Sequence, residues 1–228
     1  MAIIALWSCS PSEQELFDEG IKMMETEQYD KAIGFFDRTI EKNPANTAAL
    51  NAKGVALFQQ KKFDEAIASF SASIAQDSTS YKPYFNRGNA YLEKKSYKEA
   101  LLDYNTANGL DPKQNDIYYN RGLALLALEQ YEDAIFDFDV ALQADPNNDL
   151  AQFNKAKAQL GNNDPVSAIT SLINTVNLDK QNAAAYYLLG VTQMSAFGKK
   201  EDGCANLKLA LSLGYGEAKT WIDDFCKE

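Results

Sequence analysis

The chain carries few residues able to do covalent or metal chemistry. It holds three cysteines, Cys9, Cys204 and Cys226, and no histidine. Histidine is the side chain most used for proton shuttling near neutral pH and for metal ligation, so His-dependent triads and His-based metal sites are excluded. One acidic stretch begins like a calcium loop, with oxygen-bearing residues alternating at Asp145, Asn147 and Asp149. Such a loop needs glycine at its sixth place and glutamate at its twelfth, and here those places hold Leu150 and Ala156. It reads as a turn. Gly214-Tyr215-Gly216 follows a helical pattern rather than a strand and has no dinucleotide context. The other carboxylates are scattered, with no pair that brackets a substrate. No catalytic residue, metal site or cofactor is expected.

Cysteine chemistry remains. Cys204 opens one helical stretch and Cys226 closes the next; if the two turn at about Gly214 and Tyr215, the cysteines are neighbours across an antiparallel pair. There they form a disulfide, which needs an oxidising compartment, or serve as two buried thiols used as small hydrophobes. Cys9 follows the apolar run Ala2 to Trp7 and Ser8. Leu6, Ser8 and Cys9 resemble a bacterial lipobox, whose cysteine is lipidated. Trp7 departs from that pattern, no Lys or Arg precedes Cys9, and the apolar run is short for a signal. Residues 1–12 read as a lipoprotein signal cut short plus its tether, or as a hydrophobic end that packs on the first folded unit.

The totals frame these residues. The 228-residue chain is 46% hydrophobic with a formal charge of −10, enough apolar content for a sizeable core. Its 32 acids against 22 bases, without a Lys/Arg run, would be repelled by phosphate backbones. Nucleic acid is not an expected partner. No apolar run after Trp7 approaches the roughly 20 residues that cross a bilayer, so membrane contact is expected only through a lipid anchor at Cys9.

The elements that position everything else come from a repeat. Gly20, Gly54, Gly88 and Gly122 recur every 34 residues, continued by Ala156 and Gly190. Ala32, Ala66, Ala100, Ala134 and Ala168 keep the same interval, as do Phe36, Phe70, Tyr104, Phe138 and Leu172; Pro44, Pro112 and Pro146 form a fourth series. Within a unit, Tyr84, Gly88 and Tyr91 follow i, i+4, i+7 spacing, and Tyr97, Ala100, Tyr104 and Ala107 do so on a second stretch. Each unit therefore reads as two helices, an all-α architecture.

These residues resemble the tetratricopeptide repeat, across about residues 13 to 228. Six helix pairs are expected at about 13–46, 47–80, 81–114, 115–148, 149–182 and 183–215, with a capping helix at 216–227. In the sixth, the small residue is placed at Ala205, three beyond the period, which predicts a longer turn. The resemblance implies a right-handed α-solenoid whose first helices line a concave groove that holds peptides or protein segments.

Numbering each repeat from its start, positions 4, 8 and 11 face the core, while 5, 9 and 12 are rotated by about 100° toward the groove. Position 5 carries Phe17, Asn51, Phe85, Tyr119, Phe153 and Tyr187; position 12 is apolar throughout. A second apolar stripe suits a partner surface, although position 5 aromatics also pack against neighbouring first helices. Asn86, Asn120 and Asn154 recur at position 6. Neutral amides in register suit an extended backbone, or asparagine is simply common there. Lys82, Asn86 and Asn89 supply part of the set with which relatives clamp a terminal carboxylate; no arginine stands at position 6 to complete it. Arg87 and Arg121, at position 7, share their repeats with Asp103 and Asp137, and two intra-repeat ion pairs are expected.

The expectation is a non-enzymatic scaffold that binds a peptide or protein, resembling repeat-containing bacterial lipoproteins on the periplasmic side of the envelope. The alternatives are a structural subunit of an outer-membrane-protein or pilus assembly complex, and a cytoplasmic co-chaperone with free thiols.

Overall fold

The computed structural model describes residues 10–227; Cys9 and the apolar run before it lie outside them. The chain divides into two compact units, Met1–Pro112 and Lys113–Glu228. The first holds α1 (Glu13–Glu25), α2 (Tyr29–Lys42), α3 (Thr47–Gln59), α4 (Phe63–Gln76), α5 (Tyr81–Glu93) and α6 (Tyr97–Leu110). The second holds α7 (Asn115–Ala127), α8 (Tyr131–Ala144), α9 (Asp149–Gly161), α10 (Pro165–Leu178), α11 (Ala183–Phe197), α12 (Lys200–Ser212) and α13 (Ala218–Phe225). No strand occurs among the described residues. Within each unit, helices pair in chain order and each pair packs on the next, an all-α solenoid segment; α13 trails the last pair against α12.

The helix ends follow local chemistry. Ser12 and Glu15 form a reciprocal capping box on α1. Asn46, Asn148 and Asn182 accept from the backbone N–H three residues on at the starts of α3, α9 and α11. Asp164 does the same for α10, with Pro165 at the first helical position. Between the helices of each of the first five pairs stands a left-handed residue without glycine's freedom: Glu27, Lys61, Lys95, Glu129 and Asn163, at φ between 56° and 60°. Around Lys61, its N–H bonds the Phe58 carbonyl and the Lys62 N–H bonds that of Leu57, the Schellman pattern that satisfies the last carbonyls of α3. Between pairs, Asn43, Asp77, Asp145 and Asp179 each accept the N–H two residues on. Asp145 to Asp149 is thus an Asx turn.

The glycine series sets how closely helices approach. A Cβ at Gly54 would stand 2.5 Å from a Phe70 ring carbon, and one at Gly20, Gly88 or Gly122 would stand 2.5–2.8 Å from Phe36, Tyr104 or Phe138. Each ring sits against the glycine's helix where a Cβ would stand. The fifth pair changes both partners together: Ala156 faces Leu172 in one buried cluster. In the sixth, the register slips by one residue rather than three. α11 has 15 residues against 13 in the other first helices and ends at the left-handed Gly198. Gly203, not Ala205, is then the small residue under α11, its Cβ site crowded by Met194 and the Gly190 carbonyl. Ala205 faces solvent.

Candidate functional site

In the first unit, the first helices α1, α3 and α5 border a crevice of about 410 Å³ whose lining includes Phe17, Ile21, Ala48, Asn51, Asp77 and Lys82. Phe17 reaches this surface because Gly20, one turn on, lets Phe36 lie beneath it, the two rings 5.8 Å apart. Asn86 donates through its side-chain amide to Asn51 Oδ1 at 3.0 Å, joining position 6 of one repeat to position 5 of the preceding one. Lys82 is exposed and has no ion-pair partner among the described residues. Phe85 is half-buried, its ring 6.1 Å from that of Tyr104.

Asn89 serves the fold through its carbonyl oxygen. Its Oδ1 accepts the Tyr104 hydroxyl at 2.8 Å. The third repeat alone carries tyrosine where the others have Phe or Leu, and it carries the polar Asn89 to meet that hydroxyl. Burial, with the Asp103 carboxylate nearby, pushes the Tyr104 phenol far above its ordinary range.

In the second unit, Tyr119 packs at 6.0 Å on Phe138, and burial raises its phenol pKa. Asn154 donates to the Leu150 carbonyl at 2.9 Å and to the Tyr119 hydroxyl at 3.4 Å. Phe153 is half-buried with the Lys157 ammonium over its ring, 5.7 Å from the centroid. Asn120 lies half-buried on α7 and has interactions of its own. Tyr187 stacks on Tyr215 at 4.7 Å, which gives it to the seat of the trailing helix. Position 5 aromatics therefore serve packing and surface at once, and position 6 amides are partly engaged by their neighbours.

Arg87 and Asp103 form a two-pronged pair at 2.8 Å each, and Arg121 and Asp137 do so at 2.7 Å. Arg87 also donates to Ser71 on α4 at 2.9 Å, so one guanidinium ties α4, α5 and α6. Hydrogen bonding to the aspartates holds both guanidinium groups more firmly protonated. Burial pushes the Asp137 carboxyl above its ordinary value even against Arg121. Further pairs escape the repeat pattern because they join successive repeats: Lys94 to Asp64, and, from position 7, Lys53 to Asp37 at 2.6 Å and Lys155 to Asp139 at 2.5 Å. Lys53, Arg87, Arg121 and Lys155 all stand at position 7, and a reading that followed that position into the preceding second helix would have found the two lysine pairs.

Cys204 and Cys226 are joined by a disulfide, their Cα atoms 5.7 Å apart. The bond holds α13 over a cluster of Leu207, Ala210 and Ala218 that takes in Tyr187, Val191, Met194, Tyr215 and Trp221. Among the described residues no group of three His, Cys, Asp or Glu is placed to hold a metal ion. No helix there is long and apolar enough to cross a membrane.

Models of the tetratricopeptide repeat match residues 17–81 and 116–148, and a model of the same repeat matches 88–129. No curated protein matches the chain. Among solved structures, YrrB, described as a TPR protein with an unusual peptide-binding site, is similar at TM-score 0.72 and 23% identity, covering 78% of this chain and 92% of its own. PilF of Pseudomonas aeruginosa is similar at 0.74 and 19%, covering 91% and 96%. The C-terminal part of a TPR repeat-containing protein from Cytophaga hutchinsonii is similar at 0.71 and 15%, covering 91% and 82%. At these identities the likeness is one of fold.

Proposed function

The chain belongs to the tetratricopeptide-repeat proteins, and from that premise we propose that it is a non-enzymatic scaffold that captures a segment of a partner protein on its first-helix surfaces. The observation that carries this reading is the crevice of the first unit. It joins an apolar floor, Phe17 and Ile21, to an amide pair, Asn51 and Asn86, beside the unpaired Lys82. Such a surface accepts an apolar side chain, backbone polar groups and an acidic neighbour. In the second unit, Tyr119, Phe153 and Asn154 offer the corresponding positions. YrrB, with its peptide-binding site, lends this reading support through fold alone.

Ala48 is exposed at the crevice and Ala68 is exposed on α4, away from it. A photo-crosslinking amino acid at position 48, introduced in the native cell, is expected to trap a partner that position 68 does not. Crosslinks from 68 and none from 48 would refute the groove reading.

A second reading, a structural subunit of a cell-envelope assembly complex, is favoured by large apolar side chains left open on second helices: Leu102 at 68% exposure, Phe136 at 61% and Val166 at 65%. PilF is a relative in fold only. Crosslinks from position 166 into a co-purifying complex, with none from 48, would select this reading.

We further propose that the chain faces an oxidising space and is lipid-anchored at Cys9. The lipobox-like residues before Cys9 support this, and so does the Cys204–Cys226 bond, which counts against a cytoplasmic co-chaperone with free thiols. Labelled palmitate is expected to enter the wild-type protein and not Cys9→Ser; equal labelling of both would overturn the anchor.

A further inference from the structure

The Cys204–Cys226 bond lies at the edge of an apolar cluster, with Cys204 buried and Cys226 packed beside Leu207, Ala210 and Ala218. It borders an open cavity of about 490 Å³ lined by Lys200, Glu201, Ala205, Lys208 and Lys227. Lys200, Cys204 and Lys208 are four residues apart on α12, so the two ammonium groups flank the cysteine on one helix face. Lys227 adjoins Cys226, and the Lys200 ammonium donates to the Lys227 carbonyl at 3.3 Å. Three cations against one carboxylate make this cavity positive in a chain whose net charge is −10. Cys204 is 8% exposed, while Cys226 is more open.

We propose that this disulfide is an exchange site for a small anionic thiol of the glutathione class, and that its opening releases the trailing helix. The thiolate enters the positive cavity and attacks Cys226 Sγ, the accessible sulfur. A bond forms between the incoming sulfur and Cys226, the Cys204–Cys226 bond breaks, and its electron pair leaves on Cys204 Sγ between Lys200 and Lys208. A second thiolate attacks the mixed disulfide at the small molecule's sulfur, giving the oxidised small-molecule disulfide and a Cys226 thiolate. Two thiols are oxidised and one protein disulfide is reduced. The lysines act twice: they concentrate the anionic reactant and stabilise the departing thiolate.

The consequence lies beneath α13. Once the tether is open, the eight-residue α13 loses its covalent hold and keeps its packing in the cluster that contains Tyr187, Val191, Met194 and Leu207. The first three stand at positions 5, 9 and 12 of their repeat, so the oxidised cap withholds that set from partners. This last consequence rests on the binding reading above; the exchange step does not.

The test uses the full chain at fixed pH, with reduced glutathione and neutral 2-mercaptoethanol as probes, and follows reduction by alkylation and mass. The triple variant K200Q/K208Q/K227Q is expected to slow reduction by glutathione about tenfold and by the neutral thiol about threefold. High salt on the wild type should shift the two rates the same way. Rates within twofold of wild type for both probes, or an equal loss for both, would overturn the electrostatic role. Amide exchange across 218–225 is expected to accelerate on reduction of the wild type; unchanged protection in the fully reduced protein would overturn release of the helix.

Discussion

Alanine at Gly54 has an effect whose sign depends on one neighbour. Gly54 lies inside α3, where alanine is intrinsically favoured by about 1 kcal/mol. In the native packing, however, the new Cβ would meet Phe70 ring carbons at 2.5, 2.6 and 2.9 Å. Ordinary contact begins near 3.4 Å, so the 1% exposed ring must shift by most of an ångström. Overpacking of this degree costs about 3 kcal/mol, leaving Gly54→Ala about 2 kcal/mol destabilising. Phe70→Leu removes the ring and by itself costs about 1–2 kcal/mol through lost burial and a small cavity. In that background the clash is gone, and Gly54→Ala recovers its helical gain of about 1 kcal/mol. The double variant rebuilds the Ala156 and Leu172 pairing of the fifth repeat. Urea unfolding followed by circular dichroism at 222 nm, on wild type, both singles and the double, yields the coupling directly. The same sign for Gly54→Ala in both backgrounds would refute the claim that the glycine series exists to seat these rings.

Three other outcomes follow from single sites. Arg121→Met leaves the 1% exposed Asp137 without its partner and is expected to cost about 3–5 kcal/mol, while Arg121→Met/Asp137→Leu returns to within about 1 kcal/mol of wild type; urea midpoints decide this. The Tyr104 phenol is held above its ordinary value of 10.0 in the fold, so the unfolded chain releases this proton first as pH rises. Its stabilisation is therefore complete below pH 10 and declines above it at about 1.4 kcal/mol per pH unit, a slope that Tyr104→Phe should remove from denaturation measured between pH 9.5 and 11. Lys61→Gly relieves a left-handed φ of 59° and, after the added freedom of the unfolded chain, is expected to raise stability by about 0.5 kcal/mol, read as a shift in thermal midpoint.

The helix pairs were legible because packing imposes the 34-residue period on three residue types at once. Six first helices begin at Glu13, Thr47, Tyr81, Asn115, Asp149 and Ala183, where the periodicity puts them. The turns within pairs left a weaker trace: four of the five left-handed residues are Glu or Lys, whose types carry no turn signal, and Asn163 alone is of a type that favours that conformation. The sixth repeat misled for a related reason. Cys204 and Ala205 are both small enough to stand in the series, and only the longer α11, with its one-residue register slip, decides that Gly203 takes the place.

Polar residues on the first helices posed the harder problem, because sequence reports their type and not their partner. Asn89 reads as a ligand-binding amide, yet its carbonyl oxygen is taken by the Tyr104 hydroxyl. Arg87 and Arg121 are spent on Asp103 and Asp137, and Lys53 and Lys155 on the preceding repeats. A satisfied group contributes little to binding, since a ligand must displace what it already holds. Lys82 is different: it is exposed, unpaired, and set beside an apolar crevice in a chain rich in acid. Asn86 has committed one amide hydrogen to Asn51 and still presents its carbonyl oxygen as an acceptor. In the second unit Asn154 spends its amide on Leu150 and Tyr119, and Tyr187 lies under the trailing helix. Lys82 is thus the exposed cation with the most unspent capacity, and Lys82→Glu should weaken capture of an acidic segment in the first unit more than any single polar change on α7, α9 or α11.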